Sequence, residues 1–123
     1  MHQEALKQGG DGIALYRDCY SGEILRGGDR YDYEHIRSSE ALFMMYRNQL
    51  TNTEIAEVVN CPENVAVTLR SINQSKGKMR MEDWLLNANN IISHRINLGL
   101  TQSVLAYADI GIQRKVADIL SRK

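Results

Sequence analysis

Apolar positions change their spacing several times along the chain, and each change marks an element. Residues 13–16 and 23–25 are short runs flanking Asp18-Cys-Tyr-Ser-Gly22, the composition of a hairpin turn. Gly27-Gly28-Asp29 breaks the chain before residues 31–36, which read as a strand. Ser38 or Ser39 can cap a helix over roughly 40–48, with Leu42, Phe43, Met45 and Tyr46 on its apolar side. Thr51-x-x-Glu54 is a capping box. The helix it opens should stop near Asn60-Cys61-Pro62, because proline biases the residue before it away from helix. Val65-Ala-Val-Thr-Leu69 carries β-branched residues at 65, 67 and 68 and reads as a strand pairing with residues 31–36.

The rest is helical in pattern. Residues 81–87 carry Trp84, Leu85 and Leu86. A longer helix capped by Thr101 or Ser103 has a stripe of Val104, Leu105, Ala108, Ile112, Val116, Ile119 and Leu120 suited to core packing. Gly99 and Gly111 are possible interruptions. The expectation is an α+β fold, mostly helical, with a small antiparallel β-hairpin plus helix and additional helices. Residues 1–12, ending in Gly9-Gly10-Asp11-Gly12, read as a flexible lead-in. Residues 13–88 would form the core, and 89–123 a helical extension packed on the same domain.

Composition narrows the function classes. At 123 residues the chain suits one domain with a modest core. Lys+Arg and Asp+Glu are both 15, so the net charge is zero. Bulk electrostatic nucleic-acid binding is disfavoured, although charge can still be segregated locally. Cys19 and Cys61 are isolated, without a Cys-x-x-Cys pair, which argues against a four-ligand structural zinc site. No apolar run approaches the roughly 20 residues needed to span a bilayer, and the N-terminus is too polar for a secretory signal. A soluble protein is expected.

Candidate chemistry lies in Tyr31-Asp-Tyr-Glu-His-Ile36, Pro62-Glu-Asn-Val-Ala-Val-Thr68 and Ile72-Asn-Gln-Ser-Lys-Gly77. Phosphodiester hydrolysis needs a base for water, a cation on the phosphate, and something to fix their geometry. A histidine ordinarily titrates near about 6.5 and can be that base, here His35. Mg²⁺ prefers oxygen ligands and keeps several waters, so Glu34 or Asp32 with the amide of Asn73 can suffice. Asn64 could brace the loop that holds His35, or be an ordinary turn residue.

These blocks resemble the HNH-type (ββα-metal) endonucleases over roughly residues 17–85. Cys19-Tyr-Ser-Gly-Glu-Ile24 is similar to the turn that often precedes the catalytic strand. Glu34-His-Ile36 stands where the family usually has Asp-His-Ile. Asn64-Val-Ala-Val-Thr68 resembles its Asn-Leu-x-x-Thr strand. Asn73-Gln-Ser-Lys-Gly77, followed by Glu82-Asp-Trp-Leu85, is similar to its Asn-x-Ser-Lys-Gly helix start and trailing Trp-Leu. The resemblance implies His35 as general base, Asn64 as bracing residue and Asn73 as a ligand of a divalent cation, Mg²⁺ first, with Mn²⁺ or Zn²⁺ as alternatives. Glu34 adds a methylene to the usual aspartate, and strand alternation would set it on the face opposite His35 unless the strand ends, twists or bulges there. Asp32, on Glu34's face, is the fallback ligand.

Phosphate contacts are expected from Arg70, Lys76, Lys78 and Arg80, more weakly from Arg37 and Arg47, on DNA in preference to RNA. The small size and glycine-rich lead-in suggest the toxic domain of a secreted polymorphic effector, acting in the cytoplasm and partnered by an immunity protein. Two rivals remain. Residues 50–59 followed by 65–72 also suit a helix-turn-helix DNA-binding module without catalysis. The Glu34 substitution suits a catalytically inactive HNH-like interaction domain.

Overall fold

The computed structural model describes residues 15–26 and 30–123. The expected lead-in and the Gly27-Gly28-Asp29 break lie outside the described residues. Strands β1 (Leu15–Arg17), β2 (Ile24–Arg26) and β3 (Tyr31–His35) precede helices α1 (Ser39–Tyr46) and α2 (Asn52–Val59). A 3₁₀ turn at Pro62–Asn64 leads into β4 (Val65–Leu69). Then follow α3 (Arg70–Lys76), α4 (Met81–Trp84), α5 (Ala88–Ser93) and α6 (Leu98–Ser121). The fold is α+β and mostly helical, with two small antiparallel two-stranded sheets among the described residues.

Local chemistry accounts for most boundaries. Ser38 caps α1 by accepting from the Ala41 N–H, and Thr51 caps α2 in a complete capping box with Glu54. Lys123 chiefly, with the Thr51 N–H, holds the Glu54 carboxyl below its usual range. The start of α6 differs from expectation. Asn97 Oδ1 accepts from the Leu100 N–H at 3.0 Å, while the Thr101 hydroxyl donates to the Tyr20 carbonyl at 3.0 Å. Neither Gly99 nor Gly111 breaks the helix.

Among the described residues, the contacts group 15–26 and 30–33 with 67–101, and 34–66 with 102–123. In the first unit β1 and β2 pair with Tyr16 opposite Leu25. Asp18 organises the turn between them, accepting from the Ser21 N–H at 2.9 Å and from the Ser21 hydroxyl. Gly22, at φ +80°, closes it in a conformation that favours glycine. Asp18 also accepts from the Leu69 N–H, and the Cys19 N–H donates to the Val67 carbonyl at 2.9 Å. Tyr16, Leu25 and Val67 form this unit's small core, with Tyr31 and Leu69 against it. Farther along, Trp84 is buried and donates to the Ser75 hydroxyl at 3.1 Å.

The second unit packs Leu42, Leu50, Ile55, Val58, Val59 and Cys61 with Ile112, Val116 and Ile119 of α6. Arg37 and Asp109 form a two-pronged ion pair, with Nε to Oδ1 at 2.8 Å and Nη2 to Oδ2 at 2.9 Å. Cys19 and Cys61 are buried thiols, not joined in a disulfide, and burial pushes the Cys61 thiol up.

Candidate functional site

Strand β3 carries three of the expected residues, and its pairing decides how they face. At one end the Arg70 N–H donates to the Arg30 carbonyl, and at the other the Ile36 N–H donates to the Asn64 carbonyl. Equal numbers of residues lie between these bonds on the two strands, so no bulge interrupts the ladder. Alternation therefore holds. Glu34 is buried and shares a face with Asp32, while Tyr33 and His35 are exposed on the other. His35 is the last residue of the strand.

In the second unit, Asn64 fixes the backbone just beyond His35. It is fully buried at the end of the 3₁₀ turn. Its Oδ1 accepts from the Arg37 N–H at 2.7 Å, and its Nδ2 donates to the Arg37 carbonyl at 3.0 Å and the Val59 carbonyl at 2.9 Å. Every polar atom of this amide is matched, as a buried amide requires. Arg37, a weaker phosphate candidate in the sequence, is held by Asp109.

In the first unit Asp32 and Asn73 come together. Asn73, within α3, donates from Nδ2 to Asp32 Oδ2 at 2.9 Å, and Arg70 Nε donates to Oδ1 at 3.0 Å. The Asn73 bond and then the Arg70 bond hold the Asp32 carboxyl below its usual range. The basic residues divide. Lys76 is buried and donates to the Met79 carbonyl at 3.3 Å. Lys78 and Arg80 are exposed, with Arg80 3.6 Å from Glu82.

Sequence reasoning missed one side chain at His35. Asn60, the C-cap of α2, places Oδ1 2.9 Å from His35 Nε2. The only hint was an asparagine at the predicted helix end. A sequence-distant loop contact leaves no periodic trace.

Comparison of the chain with protein-family models, curated proteins and solved structures finds no match. Among the described residues no group of three or more His, Cys, Asp or Glu side chains is placed to hold a metal ion. No helix among them is long and apolar enough to cross a membrane. Residues 65–69 form a strand, so the second helix of a helix-turn-helix does not form over 65–72.

Proposed function

We propose that this chain is a metal-dependent endonuclease of the HNH type, hydrolysing phosphodiester bonds, DNA in preference to RNA. The observation that carries the reading is the grip of Asn64 on both polar groups of the Arg37 backbone. Such a grip, two residues beyond the candidate base, supports the bracing role that the resemblance implies. A turn asparagine on the surface would have no such bonds.

The donor chemistry fits a hard cation. Asp32 and Asn73 are side-by-side candidates for oxygen ligation, and Asp32 keeps its charge to lower pH than usual. One or two carboxylates with an amide and water suit Mg²⁺ or Mn²⁺ better than Zn²⁺, which favours sulfur and imidazole. Ligation would require the Asn73 amide oxygen to turn toward the ion and Arg70 to release Asp32. Glu34, on the same face of β3, is the second carboxylate. Bound there, the cation would draw charge from the phosphate and the leaving oxygen. His35 lies on the opposite face but is the last residue of the strand, so it would accept the proton of the attacking water where the strand ends. Lys78 and Arg80 meet the phosphate backbone.

The test is cleavage of plasmid DNA and of RNA with Mg²⁺ or Mn²⁺, with and without chelator. Wild type should cut only with metal, and His35→Ala should lose about 10²- to 10⁴-fold in rate while staying folded. Binding of duplex without cleavage under any divalent metal would sink the nuclease reading. Toxicity on expression in bacteria, relieved by His35→Ala, is the outcome expected if the domain is an effector with an immunity partner.

A further inference from the structure

The bond between His35 and Asn60 does more than tether a surface ring. The Asn60 Nδ2 donates to the Ala56 carbonyl at 2.9 Å. That carbonyl is an acceptor only, so it settles which end of the amide faces it. The oxygen end, Oδ1, is left against His35 Nε2 at 2.9 Å. An acceptor opposite a ring nitrogen demands an N–H there, so a neutral His35 carries its proton on Nε2 and its lone pair on Nδ1. The amide itself is anchored, because the Asn60 N–H also donates to the Ala56 carbonyl, at 3.1 Å, at the end of α2.

We infer that Asn60 is the positioning residue of His35, holding the imidazole in its Nε2–H tautomer so that Nδ1 is the proton acceptor. This rests on the proposed nuclease reading for its catalytic meaning. The assignment of the tautomer stands on the geometry alone. When Nδ1 takes a proton from water, the Nε2–H bond to Asn60 is kept, so the ring does not reorient during the step. Asn60 touches neither substrate nor metal in this scheme and acts only through the ring.

Two measurements separate the inference from the reading beneath it. The first is the imidazole ¹⁵N spectrum of His35 in its neutral form, recorded on the full chain. Wild type should show Nε2 protonated and Nδ1 with the lone pair. Asn60→Leu should give a mixture of tautomers, and Asn60→Asp, which still offers an acceptor oxygen, should restore the wild-type pattern. A mixed wild-type spectrum, or one unchanged in Asn60→Leu, overturns the inference whatever the protein cleaves. The second is cleavage kinetics. Asn60→Leu should lower kcat roughly tenfold or more with little change in KM, as when the outer partner of a functional histidine is removed, and Asn60→Asp should recover most of it. A rise in KM without a fall in kcat overturns the positioning role. A wild type with the expected tautomer and no cleavage removes the nuclease reading and leaves Asn60's hold on His35 standing.

Discussion

Asn64 and Asn73 act through different physics, and each can be tested alone. Asn64 is a buried amide with all three of its bonds made to backbone groups. Alanine there leaves the Arg37 N–H and two carbonyls to find new partners, at a cost of about 3 kcal/mol given roughly 1 kcal/mol per lost bond. That is a large share of a typical domain's stability of about 5–15 kcal/mol, and urea unfolding of Asn64→Ala should show it. Asn73 instead acts on charge. Its bond is the largest cause of the lowered Asp32 pKa. The folded value lies below that of the unfolded chain, so the carboxylate adds stability above the ordinary range near about pH 4. That contribution is lost as pH falls through the folded value. Asn73→Ala should raise the Asp32 pKa in a carboxyl NMR titration and flatten the stability–pH curve in this acid window. An unmoved Asp32 would assign the effect to Arg70 alone.

At the scale of elements, Gly111 shows how a helix and a turn can share space. A Cβ at Gly111 would lie 2.3 Å from the Cβ of Glu63 and 2.6 Å from its Cγ. The Cβ of Glu63 is fixed to the backbone of a 3₁₀ turn that begins at Pro62, so it cannot rotate away. Replacing glycine by alanine in a helix ordinarily gains about 1 kcal/mol, but overpacking costs roughly 1–3 kcal/mol. The clash should win, and Gly111→Ala should lower the thermal midpoint. Gly99→Ala is the control, since its nearest neighbour is Asn97 Oδ1 at an ordinary 3.6 Å. Its midpoint should hold or rise slightly. The same contrast explains what the sequence disclosed. The β-branched run at 65–69 and the Thr51 capping box depend on residues a few positions apart, and both elements form as their local chemistry dictates. The diversion of Thr101 from capping α6 and the grip of Asn60 on His35 depend on contacts outside the local pattern. Thr101 is taken by a carbonyl 81 residues away, and no hydropathy period records that. Within the candidate site the faces of Glu34 and His35 were legible from alternation, whereas the pairing of Asn73 with Asp32 rather than with Glu34 was not.

Across the whole molecule, the expected site residues lie between positions 32 and 80, yet one of the two units cannot be built from that stretch. Its core joins Leu42, Leu50, Ile55, Val58, Val59 and Cys61 to Ile112, Val116 and Ile119. The helix that supplies the last three also supplies Asp109 for the ion pair with Arg37. A chain ending at Thr101 keeps Asp32, Glu34, His35, Asn60, Asn64 and Asn73 but strips one wall from this core. Each of the three lost side chains is worth about 1.5–3 kcal/mol of burial, enough together to exhaust the margin of an average domain. Backbone amide exchange should then show protection lost over residues 34–66 in the truncated chain, with cleavage abolished although every proposed site residue is present. Retained protection there, with activity intact, would mean that α6 is dispensable to the segment carrying His35 and Asn64.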